Sequence, residues 1–126
     1  NKYAYSSLSK EKKEALLEEI DNYMKKKKKF MNPDLRLSEI AKDLNTNRQY
    51  ISQVINEFTG ENFYHFINKY RVNEFIKMHK DMQFSNLSIE GMAYKVGFKS
   101  KSSFYSAFKK EKGTTPKNFF NKPHNK

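Results

Sequence analysis

The chain contains no cysteine. Disulfide frameworks, thiolate zinc sites and cysteine nucleophiles are therefore excluded, and a reducing compartment suits it. It has no tryptophan, only four glycines and only three prolines in 126 residues. So few turn-formers argue against a sandwich or barrel of many short strands, which needs frequent turns. No apolar run approaches the roughly 20 residues of a membrane span, and no signal-peptide pattern opens the chain. The three histidines, His65, His79 and His124, stand at no metal-ligand spacing with one another or with acidic partners. The expectation is no metal, no cofactor and no catalysis. The chain opens at Asn1 rather than Met, which fits a piece of a longer polypeptide.

What is abundant is positive charge. Lys and Arg number 25 against 14 Asp and Glu, for a net charge of +11. Such an excess points to an anionic partner, either nucleic acid or a membrane surface. Hydrophobic residues make up 37% and aromatics 15%, enough for a modest helical core wedged by Phe and Tyr.

The apolar spacing is helical nearly throughout. Leu16, Leu17, Ile20, Tyr23 and Met24 predict an amphipathic helix over about 9–29, ending in the run Lys25 to Lys29. That run is either a cationic last turn facing the helix dipole or a phosphate clamp. Asn32-Pro33-Asp34 breaks the helix. Ser38 is then expected to cap a short helix with Ile40, Ala41 and Leu44 inward, ended by a left-handed Asn45. Asn47 caps a second helix with Ile51, Val54, Ile55 and Phe58 inward, ended by Gly60. A longer helix from Phe63 to about Lys80 buries Phe66, Ile67, Tyr70, Phe75 and Met78. After the polar connector DMQFSN, Ser88 caps a short helix with Ile89, Met92, Ala93 and Val96 inward, ended by Gly97. Ser100 caps the next, with Phe104, Ala107 and Phe108 inward, ended by Gly113. Pro116 opens a last short helix that buries Phe119 or Phe120, and the tail after Asn121 frays.

Part of this pattern occurs twice. Ala41 and Ala93, like Leu44 and Val96, are 52 residues apart (93 − 41 and 96 − 44). Asn47 and Ser100, Ile51 and Phe104, Ile55 and Phe108, and Gly60 and Gly113 are all 53 apart (100 − 47 and so on). The one inserted residue falls in the turn between Val96 and Ser100. The repeated object is a short helix, a tight turn and a second helix, which is the helix-turn-helix shape. The predicted fold class is all-α, about seven helices, with two helix-turn-helix subdomains joined by a linker helix. Its divisions are an N-terminal lead-in over 1–33, a first unit over 34–61, a linker helix over 62–82, a second unit over 83–121 and a frayed tail over 122–126.

The outward faces of the second helices suggest chemistry. Opposite the apolar stripe the first unit carries Gln49, Ser52, Gln53 and Asn56, and the second carries Ser102, Tyr105, Ser106 and Lys109, with Lys101 beside them. Amides, hydroxyls and amines can bond base edges without repelling phosphates, and no carboxylate is among them. Gln49, Ser52, Gln53, Asn56, Lys101, Ser102, Tyr105 and Ser106 are the candidate base readers. Lys42, Arg48, Lys99, Lys109 and Lys110 are the candidate phosphate contacts. A linker helix of about 26 Å could hold two reading helices near one DNA turn apart, roughly 34 Å. The expected partner is double-stranded DNA, bound in two successive major grooves by one copy of the chain. A lipid-binding first helix is the weaker reading, because Glu11, Glu14, Glu18, Glu19 and Asp21 lie along it. A protein-binding helical module is a third reading, and it would show no salt-dependent affinity for DNA.

The stretch GFKSKSSFYSAFKKEKGTTPKNFF resembles the signature of the AraC/XylS family. Gly97, Phe98, Phe104, Phe108, Lys109, Gly113, Thr115, Pro116 and Phe119 match it, and YRVNEFIKM is similar to the family's linker helix, with Arg71 at its characteristic arginine. The resemblance covers about 34–120, and the lead-in before it is similar to that of Bacteroidetes-type members. It implies a cytoplasmic transcription regulator, typically an activator, with a sensing or dimerising region elsewhere on a parent chain that could itself be membrane-anchored. RNA polymerase is a further implied partner, and the isolated domain is expected to be monomeric. Related helix-turn-helix domains occur in methyl-acceptor DNA repair proteins, whose chemistry needs the cysteine this chain lacks. Three residues depart from the family pattern: Asn45 for a common glycine, Phe75 for a small alanine, and Phe120 for a frequent arginine.

Overall fold

The computed structural model describes residues 8–121, and within them every regular element is helical. Helix α1 (Lys10–Lys27) is capped by Ser9, whose hydroxyl accepts from the Lys12 amide, and it buries Leu16, Ile20 and Met24. Lys28 closes it in the left-handed conformation, and a single 3-10 turn at Lys29–Met31 redirects the chain. Of the terminal lysine run, Lys25, Lys26 and Lys27 form a cationic last turn, while Lys28 and Lys29 lie beyond the helix.

The first unit comprises α2 (Leu37–Asp43) and α3 (Arg48–Thr59). Ser38 does not cap α2. The helix begins two residues earlier, with extended Arg36 at the cap and no side-chain cap bond, because Leu35 and Leu37 on either side of Arg36 both turn toward the core. The turn is as read from the sequence: Asn45 is left-handed at φ 57°, and the Asn47 side chain accepts from the Tyr50 amide. Ile51, Val54 and Ile55 are fully buried, but Phe58 remains 41% exposed. It sits in the last turn of α3, just before the chain swings away through left-handed Gly60, beyond the reach of the core.

Helix α4 (Phe63–His79), capped by Asn62, is about 25 Å long at 1.5 Å per residue. It belongs to two cores at once. Phe66 and Ile67 close a first cluster with α1, α2 and α3, while Val72, Phe75 and Met78 open a second. That second cluster contains Met92, Ala93 and Val96 around α5 (Ile89–Lys95) and Phe104, Ala107 and Phe108 of α6 (Lys101–Lys112). Tyr70 is only half-buried, its ring against Phe30 and Phe66 and its hydroxyl donating to Asp21 at 2.6 Å. Ser88 and Ser100 cap α5 and α6, and the connector before α5 contains a 3-10 turn at Met82–Phe84. Helix α7 (Pro116–Asn121) buries Pro116 fully and both Phe119 and Phe120 only partly, so neither phenylalanine alone plays the anchoring part.

Two buried polar residues mark the boundary between the cores, Asn68 at 2% exposure and Arg71 at 7%. Arg71 donates from Nε to the Phe30 carbonyl at 2.6 Å, from Nη2 to the Asn32 carbonyl at 3.1 Å, and from Nη1 to Asn68 Oδ1 at 3.4 Å. It thereby fastens the linker helix to the turn after α1 and satisfies the carbonyl of buried Phe30. Gly97 packs onto the same place with φ 116°, where a Cβ would lie 2.5 Å from the Phe30 carbonyl oxygen and 2.7 Å from Arg71 Nε. The two departures at Phe75 and Phe120 meet in space. Their ring centroids are 6.2 Å apart, and Phe120 stacks on His79 at 3.6 Å.

Candidate nucleic-acid interface

Helix α3 turns Gln49, Ser52 and Asn56 fully outward and leaves Gln53 half-buried. With Leu37, Asn47 and Arg48 they line one open trough of about 920 Å³. All four candidate base readers of the first unit thus share one concave surface. Sequence reasoning treated Asn47 only as a cap and Leu37 not at all. Their place in the trough follows from the tight turn that joins the end of α2 to the start of α3.

The face is not wholly clear of carboxylates. Gln53 Nε2 donates to Glu57 at 3.0 Å, and Lys13 from α1 pairs with the same carboxylate at 2.9 Å. The Lys13 and Gln53 hydrogen bonds hold Glu57 below the usual carboxylate range, so it stays ionised. Gln53 therefore keeps its carbonyl oxygen for a ligand while its amide nitrogen is shared.

On α6, Lys101, Ser102 and Ser106 are exposed. Tyr105 is half-buried, and its hydroxyl donates to Glu90 of α5 at 3.0 Å. Burial, and then that acceptor, push the phenol up from its ordinary value, so it remains a protonated donor. Tyr105 thus braces the second unit as well as facing outward.

The phosphate candidates divide into two sets. Lys42, Arg48 and Lys109 are exposed and have no ion pair among the described residues. Lys99 instead pairs with Asp34 at 2.9 Å, and Lys110 with Glu61 at 3.4 Å. Both pairs join the second unit to the first. Lys99 and Asp34 are 66% and 71% exposed, so their attraction is weak and a phosphate could displace it at little cost. The Lys99 hydrogen bond and charge lower the Asp34 carboxyl. Burial would raise Glu61, but Lys69 and Lys110 outweigh it and bring it below the usual range.

The helix starts carry a further regularity. The first helix of each unit has a glutamate in its first turn, Glu39 in α2 and Glu90 in α5, which complements the helix dipole. The second helix of each unit has no acid there and begins instead with a cation, Arg48 in α3 and Lys101 in α6. A cation at a helix N-terminus opposes the dipole and is unfavourable for the isolated protein. An anion arriving there removes the conflict.

His65 and His79 make ring contacts with neighbouring aromatics. His79 stacks on Phe120, and burial lowers its pKa; His65 lies edge-on to Tyr64 at 5.3 Å. His124 and the expected frayed tail lie outside the described residues. Among the described residues there is no cluster of three His, Asp or Glu that could hold a metal, and no helix is long and apolar enough to cross a membrane.

Residues 40–122 match the profile of a family described as a helix-turn-helix domain. The chain is 32% identical over 90 residues to the transcriptional regulatory protein YesN of Bacillus subtilis, covering 70% of this chain and 24% of that protein. It is 30% identical over 87 residues to the HTH-type transcriptional regulator YtdP of the same species, covering 68% and 11%. The chain therefore spans a quarter or less of the length of these relatives. Among solved structures it is similar to the C-terminal domain of AraT, a response regulator from Geobacillus stearothermophilus. That match has a TM-score of 0.66 at 28% identity and covers 90% of this chain and 86% of that one. The C-terminal domain of the response regulator yesN from Fusobacterium nucleatum shares the fold, with a TM-score of 0.64 at 22% identity. With two such units on one linker helix, the chain belongs to the AraC-type helix-turn-helix family of transcription regulators and is a DNA-binding domain.

Proposed function

We propose that one copy of this domain reads double-stranded DNA with α3 and α6 in two successive major grooves, as the DNA-binding part of a longer regulator. The observation that carries this is the pairing of helix starts: α3 and α6 alone of the two units begin with a cation and no acid, each beneath an exposed polar face. Gln49, Ser52, Gln53 and Asn56 read one box; Lys101, Ser102, Tyr105 and Ser106 read the other. Lys42, Arg48 and Lys109 hold phosphates directly, while Lys99 and Lys110 reach them after exchanging Asp34 and Glu61 for DNA oxygens. The two faces differ, so the site is a pair of unlike short boxes roughly 10 bp apart. A sensing or dimerising region, and any contact with RNA polymerase, belong to the parent polypeptide.

Selection from a randomised duplex pool, with the winner competed against scrambled DNA at two salt concentrations, tests the reading. Two enriched boxes one turn apart support it; enrichment of none, with binding that disappears as salt rises, refutes it. Gln53→Ala is expected to relax preference at one or two base pairs by about 1–3 kcal/mol, because Gln53 lines the α3 trough. An unchanged selection profile would remove Gln53 from the base-reading set. Lys109→Ala is expected to weaken all sequences alike and to lower the slope of log affinity against log salt by about one. A loss confined to one base position would show that Lys109 reads a base instead.

A further inference from the structure

A second concavity lies away from the α3 trough, in the cleft between the two units. It encloses about 440 Å³, within the range of roughly 300–1,000 Å³ common for small-molecule sites. Its apolar wall is formed by Leu35, Phe63, Ile67 and Phe98. Asn68 and Arg71, three residues apart on one face of α4, line it as well.

Both polar groups have unmet requirements. Arg71 is 7% exposed, yet its three hydrogen bonds all go to neutral oxygens, its other charge contact is the Phe98 ring at 6.0 Å, and no carboxylate of the described residues pairs with it. A buried charge ordinarily has a counter-ion. Asn68 spends its Oδ1 on Arg71, while its Nδ2, buried in a residue only 2% exposed, finds no protein acceptor. Lys99 and Ser100, at the start of α6, stand at the same cleft. Lys99 is held by Asp34 at 2.9 Å and Ser100 by Ser103, so the unmet groups here are the Asn68 amide donor and the Arg71 cation, and the walls beside them are apolar.

We propose that this cleft is a binding site for a small organic carboxylate with an apolar body, its carboxylate toward Asn68 and Arg71 and its body against Phe63, Ile67 and Phe98. The donor set excludes a cation, and the apolar wall distinguishes the site from a seat for bare phosphate. Because the cleft is walled by α4 and by the Gly97–Phe98 turn of the second unit, an occupant would touch both halves of the domain. Binding is a property of the domain without DNA and is measured that way.

The test is titration of the isotope-labelled domain with sodium benzoate, benzyl alcohol and inorganic phosphate, followed by amide chemical shifts. Benzoate is expected to give saturable shifts at Asn68, Gly97, Phe98 and Ser100, with benzyl alcohol at least about tenfold weaker because it lacks the charge. Asn68→Leu should weaken benzoate about tenfold with the amide dispersion retained. If that variant does not fold, exposed Lys99→Glu serves in its place and should also weaken benzoate severalfold. Absence of saturable shifts with benzoate overturns the proposal. So does equal affinity for the alcohol, which would make the cleft merely apolar. Equal affinity for phosphate at the same amides would also overturn it, by assigning the seat to a phosphate oxygen of DNA.

Discussion

Gly97→Ala is expected to lower stability by about 3–5 kcal/mol, a fall in melting temperature of about 10–20 °C for a domain of this size. Two costs combine. At φ 116° an alanine is held in a conformation that L side chains rarely adopt, worth about 1–3 kcal/mol. Its Cβ would also lie 2.5 Å from the Phe30 carbonyl oxygen and 2.7 Å from Arg71 Nε. Those two atoms are partners in the 2.6 Å hydrogen bond that ties α4 to the turn after α1. Moving either one breaks a buried bond to a charged group, worth about 1.5–3 kcal/mol. Gly113→Ala is the control. It shares the left-handed backbone, at φ 77°, but a Cβ there meets nothing within 4 Å. It should therefore cost only the backbone strain. Thermal unfolding followed by circular dichroism compares the two, and equal losses would show that the Phe30 turn yields freely and that the tie contributes little.

How far this could be read beforehand depends on the range of the interactions. Asn47, Ser88 and Ser100 were legible as caps because a cap is settled within three residues of the helix start. The repeat was legible for a similar reason, since the same local grammar recurs at a fixed offset and the helices follow from apolar spacing. Ser38 misled because Leu37 prefers the core, a tertiary demand that outranks capping propensity. Lys28 in a left-handed conformation carried no signal; neither glycine nor asparagine marks the place. For the interface, sequence periodicity identified the outward rows on α3 and α6, and the trough gathers the four residues of the first. It could not reveal that Lys99 and Lys110 face Asp34 and Glu61, because those pairs join residues far apart in the chain. It could not reveal either that Arg71 bonds backbone carbonyls some forty residues earlier. Linear spacing reports which face a residue occupies, and the packing of the two units decides what that face meets.

Phe75 shows the same logic in the second core and sets the other large expectation. It is fully buried, with its ring 4.6 Å from Phe104 and 5.9 Å from Phe108 between centroids. Phe75→Ala removes the central ring of the cluster and should cost about 3–5 kcal/mol, as large aromatic truncations in close-packed interiors do. The position is also one of the departures from the family pattern, and Phe120, another departure, lies 6.2 Å away. The larger residue at 75 supplies a surface on which an aromatic at 120 can rest, and Phe120 covers His79 in turn. If the two substitutions support each other, the cost of Phe75→Ala and Phe120→Arg together should be about 1 kcal/mol less than the sum of the single costs. Urea unfolding of the four proteins in the cycle measures this. Strict additivity would mean that the rings merely adjoin. A saving of the expected size would mean that Phe75 and Phe120 form one packing unit, which closes the second helix-turn-helix over the end of the linker helix.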